Sequence, residues 1–140
     1  MGAREDVVPS IIAALLLVGH GLVHASFVSP APALTSGGPA WPFDLGRSWL
    51  LGPLGLAPEV TRALGIALLL PVVAGYLVAA LTIVGLAPGA WFAPAVVGAT
   101  VASAIMLALF FHPWLVAGLV IDAVLLWATL ARGWTPGAVG

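Results

Sequence analysis

The chain has no cysteine and no lysine, and charged residues make up only 6% of it, four arginines and five acids among 140 positions. Without cysteine there is no disulfide, no thiolate metal site, no iron–sulfur cluster and no haem attached through thioethers. Without lysine, and at a net charge of −1, there is no basic patch, which argues against nucleic acid as a partner and against strong attraction to anionic lipid. The shortage of charge of either sign says most. A soluble domain is roughly a quarter charged, so this chain cannot coat a globule with polar surface.

Apolar residues fill the space instead, at 62% of the sequence. They form four uninterrupted stretches, each able to cross a hydrocarbon core of about 30 Å. The expectation is an all-α membrane protein, one integral domain over 1–140 with the lipid bilayer as its first partner. Its four transmembrane helices, at about 7–28, 60–86, 91–111 and 113–132, form an antiparallel bundle. Between the first two spans, residues 29–58 change to proline, glycine and tryptophan and read as one long interfacial loop.

In span one, Pro9 falls in the first turn, where a missing N–H costs little. Ala31-Pro32-Ala33 offers a signal-peptidase pattern downstream. The apolar run is longer than a usual signal core, its flank is net acidic and two histidines interrupt it, so it reads as a retained span. Within the loop, Leu45 to Leu51 predicts a short helix lying along the interface. Asp44 would cap it, Asp44 and Arg47 are three apart, and Gly52-Pro53 would end it. Trp41 and Trp49 suit the headgroup level, where an indole keeps an apolar body and one N–H to satisfy.

Pro58 and Glu59 open span two, Arg62 marks its rim, and Pro71 inside it predicts a kink that neighbouring helices can accommodate. The turn at Leu86-Ala87-Pro88-Gly89-Ala90 is short enough to make spans two and three neighbours. Span three carries Ala95, Ala99 and Ser103 at four-residue intervals with Gly98 and Ala102 beside them, a small-residue face suited to helix contact or to assembly with another copy or a larger complex. His112-Pro113-Trp114 turns the chain into span four, which has Asp122 near its middle. Tyr76 and Trp127, both inside spans, read as packing residues.

The polar set is the functional clue. His20 and His24 are one helical turn apart and point the same way from a segment otherwise suited to lipid. A mid-span carboxylate costs roughly 2.5–3.5 kcal/mol to insert, a cost the surrounding leucines and valines outweigh, but Asp122 then needs a partner or a proton. At ~1.5 Å per residue, His20 lies about 12 Å below the Val28 end of span one, and Asp122 about 13–14 Å below the Pro113 end of span four. Alternation puts those ends on one membrane side, so His20 and Asp122 are level. His24 is a turn nearer that surface and His112 is close to it.

Three readings follow from that arrangement. The pair His20–Asp122 can be a buried lock that fixes helix rotation. The four residues His20, His24, His112 and Asp122 can form a ladder for protons, ions or a proton-linked small solute, because imidazole titrates near neutral pH. Or His20 and His24, joined by His112 or Asp122, can bind a metal or a haem. No nucleophile elbow, phosphate loop or paired acid and base supports an enzyme. Arg4 and Arg132 flank the terminal side and Arg47 and Arg62 the loop side, so charge leaves orientation balanced; the close flanking of spans one and four favours cytoplasmic termini.

Through His20-Gly21-Leu22-Val23-His24, Trp41-Pro42-Phe43-Asp44, Ser48-Trp49-Leu50-Leu51, His112-Pro113-Trp114 and Ile121-Asp122, the chain resembles small bacterial four-span membrane proteins to which no activity is assigned. That resemblance covers nearly the whole chain. It implies a four-helix domain of the bacterial inner membrane, of a structural or accessory kind, and supplies no ligand for any residue. A looser similarity to DoxX-like membrane proteins rests on size, span count and His20-Gly21 near the end of span one.

Overall fold

The computed structural model describes residues 7–29 and 44–135. All regular structure among them is helical. The four main helices are α1 (Val7–Ala25), α2 (Pro58–Ile83), α3 (Phe92–Leu109) and α4 (Val116–Leu126). With the short turns that extend three of them, four helices are long and apolar enough to span a membrane: Val7–Val28, Pro58–Ile83, Gly89–Leu109 and Pro113–Ala131. These agree with the sequence-based spans to within a few residues. Arg4, Trp41 and the Ala31-Pro32-Ala33 pattern lie outside the described residues.

The first three helices each bury a stripe at alternating spacings of three and four, the pattern that keeps one face turned toward its neighbours. In α1 the stripe is Ser10, Ala14, Leu17, Gly21 and His24. In α3 it runs through Val96, Ala99, Ser103 and Met106, and in α2 through Leu69, Val72, Tyr76, Ala79 and Ile83. Three polar side chains, His24, Tyr76 and Ser103, thus occupy core positions of three different helices. The fourth helix buries only Asp122.

Packing runs in chain order, α1 on α2, α2 on α3 and α3 on α4. A close approach between α2 and α3 falls at Gly75, where a Cβ would meet the Ala99 Cβ at 2.8 Å and the Ala95 carbonyl oxygen at 2.9 Å. The small residues Ala95 and Ala99 of span three are therefore spent inside the protein, against α2, rather than on an outer face. Pro71 is accommodated within a helix that stays continuous from Pro58 to Ile83.

The segment after Asp44 differs from expectation. No helix forms over Leu45 to Leu51; the chain passes through a series of turns as far as Gly55. The reason is local hydrogen-bond competition. The Asp44 carboxylate accepts from Gly46 N–H at 2.9 Å, and the Ser48 hydroxyl oxygen accepts from Leu50 and Leu51 N–H at 3.3 and 3.1 Å, satisfying donors that a helix would otherwise use. Asp44 meets Arg47 through the backbone, Arg47 N–H donating to the Asp44 carbonyl.

These turns cap the helices. Ser48 Oγ donates to the Leu109 carbonyl and Trp49 Nε1 to the Ala108 carbonyl at 2.8 Å, supplying partners for two of the carbonyls that a helix C-terminus leaves open. Leu45 is fully buried beside Gly65 and Phe110. Arg62 donates to the Val28 carbonyl at 3.0 Å, closing the end of span one. Trp49 remains mostly exposed beyond its N–H.

Candidate functional site

Asp122 is the centre of the site. It is 1% exposed, and its carboxylate accepts three hydrogen bonds, one from each of the other three helices. From α1, His20 Nε2 donates to Oδ1 at 3.0 Å. From α2, the Tyr76 hydroxyl reaches the same oxygen at 2.8 Å. From α3, the Ser103 hydroxyl lies 2.6 Å from Oδ2. An intramembrane carboxylate is tolerable when its lone pairs are met in this way, and costly when they are not.

The His20–Asp122 pair anticipated from matched depth is present. His24, one turn further along α1, is equally buried. Its Nδ1 donates to the His20 carbonyl at 2.9 Å and its Nε2 lies 2.8 Å from Ser103 Oγ. The ring stacks on Phe27 and meets the His20 ring edge-on at 4.8 Å. Tyr76 packs edge-on against His20, and its hydroxyl also lies 3.2 Å from Thr100 Oγ1, whose own proton goes to the Val96 carbonyl. Tyr76, Asp122, Ser103, His24 and His20 thus form one connected hydrogen-bond network, with the Thr100 hydroxyl beside Tyr76.

His112 does not join it. It precedes the turn Pro113–Leu115, where its Nδ1 accepts from Trp114 N–H at 3.3 Å and its ring meets the Trp114 ring edge-on. Among the described residues, no group of three His, Cys, Asp or Glu side chains is arranged to hold a metal ion. The donor atoms explain why: His20 Nε2 is directed at Asp122, His24 Nδ1 at a carbonyl, and the serine hydroxyl stands between His24 and the acid.

His20 also borders a cavity. Between α1 and α4 a groove of about 840 Å³ is walled by residues such as Ile12, Leu16, Val120 and Val124, and both His20 and Trp134 contribute to its lining. Beyond Asp122, α4 continues into a π-helical turn at Trp127–Ala131. There Arg132 lies over the Trp127 ring and Trp134 packs edge-on against Phe92.

Sequence reasoning found His20, His24 and Asp122, and missed Tyr76 and Ser103 as members of the site. Ser103 was detectable by the same depth count, since it lies about 12 Å below Phe111, on the same side as the ends of spans one and four. Tyr76 carried no such signal.

In comparisons with models of known families, with curated proteins and with solved structures, nothing matches the chain. Fold and site together define a class: an all-helical chain, with four helices compatible with an integral membrane protein, that carries a buried His–Asp pair.

Proposed function

We propose that this is a small structural or accessory protein of the bacterial inner membrane, an antiparallel four-helix bundle with cytoplasmic termini whose polar network sets the rotation of its helices. The observation that carries this reading is that one carboxyl group, Asp122, is hydrogen-bonded to each of α1, α2 and α3. A helix carrying the acid satisfies it in one rotational setting only, because a turn of the helix about its axis leaves a carboxylate facing lipid. Assembly with a second copy or a larger complex would use α4, of whose most apolar stretch 17% is buried against 44% for span three.

A ladder to the surface draws no support from His112, which bonds within its own turn. The test is a double-mutant cycle on His20→Ala and Asp122→Ala, read as unfolding in mixed detergent micelles beside proton flux in vesicles. A coupling of about 0.5–3 kcal/mol with no flux in the parent protein is expected for a lock. Flux that is lost in a variant of parental stability would favour transport instead.

A further inference from the structure

A serine hydroxyl has one proton to give, and Ser103 stands between two groups that both need one. Its Oγ is 2.6 Å from Asp122 Oδ2 and 2.8 Å from His24 Nε2, both hydrogen-bond distances. His24 Nδ1 faces a backbone carbonyl, which only accepts, so Nδ1 carries a proton in every state of the site. The remaining proton positions are then His24 Nε2 and Asp122 Oδ2.

With neither position protonated, Ser103 donates to one neighbour and opposes lone pair to lone pair at the other. With both protonated, two donors converge on the serine oxygen and its own proton is left without an acceptor in this row. Exactly one proton, on one side or the other, completes both bonds. We infer that His24, Ser103 and Asp122 form an intramembrane proton-binding site that holds one proton, shared between His24 Nε2 and Asp122 Oδ2 through the Ser103 hydroxyl.

The two forms differ by a concerted transfer. The N–H bond at His24 breaks as an O–H bond forms on Ser103, and the original Ser103 O–H breaks as one forms on Asp122. Imidazolium and carboxylate become imidazole and carboxylic acid; the total charge is unchanged, and no other reactant is needed. Asp122 Oδ1 accepts from His20 Nε2 and Tyr76 in both forms, since a carboxylate oxygen and an acid carbonyl oxygen each have two lone pairs.

The groups facing this unit are His20 and Phe27 from the first span, Tyr76 from α2 and Thr100 from α3. His20 is the other titratable histidine in contact. This inference is independent of the architectural role proposed above, because the count follows from the geometry of one row of atoms.

The experiment is solid-state NMR of the full chain in phosphatidylcholine bilayers, with ¹⁵N-labelled histidine and ¹³C-carboxyl-labelled aspartate, the signals assigned by His20→Gln, His112→Gln, Asp6→Asn and Asp44→Asn, one at a time. The fraction of His24 with both nitrogens protonated and the fraction of Asp122 in acid form are read from about pH 5 to about pH 8, where a free histidine changes charge. In the parent protein the two fractions are expected to add to one throughout. A sum of zero or two, or one that follows pH, would overturn the proposal. In Ser103→Ala the sum is expected to vary with pH; a sum still fixed at one there would remove Ser103 from the site. The parent measurement stands alone if that variant does not fold.

Discussion

Between α2 and α3 the backbones approach until a Cβ at Gly75 would lie 2.8 Å from the Ala99 Cβ, whereas between α1 and α4 there is a groove of about 840 Å³ bridged by the His20–Asp122 hydrogen bond. The first contact is made by the absence of side chains, the second by their reach. In lipid there is little hydrophobic gain from pressing helices together, so association rests on close packing or on polar bonds. This protein uses one means at each place, and the difference teaches where change will be felt.

The largest effect is expected at the polar bridge. Asp122→Ala leaves His20, Tyr76 and Ser103 without their shared acceptor and removes three interhelical bonds at roughly 0.6–1.7 kcal/mol each, a loss of about 2–5 kcal/mol in a denaturing-detergent titration. A loss below about 1 kcal/mol would mean that α4 is held by packing after all. Next comes the close contact. Gly75→Ala adds a methyl where backbone and Ala99 leave no room, and overpacking of this kind costs about 1–3 kcal/mol. A neutral result, read by the same titration, would show that α2 and α3 slide apart easily. The smallest change is expected in the groove: Ile12→Phe, at a half-exposed wall position, should alter stability by no more than about 0.5 kcal/mol. A larger loss would show that α1 and α4 close on one another.

How far the sequence foretold this depends on what each residue costs in a bilayer. Asp122 and His20 were legible because ionisable groups are rare and expensive at mid-span, so a match in depth is informative. Ser103 was hidden by its cheapness: in a run with Ala95 and Ala99 it looks like one more small residue, and its packing and hydrogen-bonding roles share one position. Tyr76 was hidden by its size, since an aromatic ring inside a span is ordinary packing unless its hydroxyl is traced to a partner. The loop misled for a different reason. Asp44, Arg47 and the apolar Trp49-Leu50-Leu51 have helical spacing, but Asp44 and Ser48 turn their oxygens to nearby N–H groups, and the carbonyls of Ala108 and Leu109, some sixty residues away in the sequence, complete the arrangement. Spacing carries no record of so distant a partner.

The network also has an order in time. A chain made from its N-terminus presents His20, Tyr76 and Ser103 before Asp122, because α4 follows α1, α2 and α3 in the sequence. Of the early arrivals, Tyr76 and Ser103 carry hydroxyls that are inexpensive to leave in lipid, and His20 is the costlier one. The carboxylate comes when its three partners are already in place, so the first three helices act as a waiting receptor for the fourth.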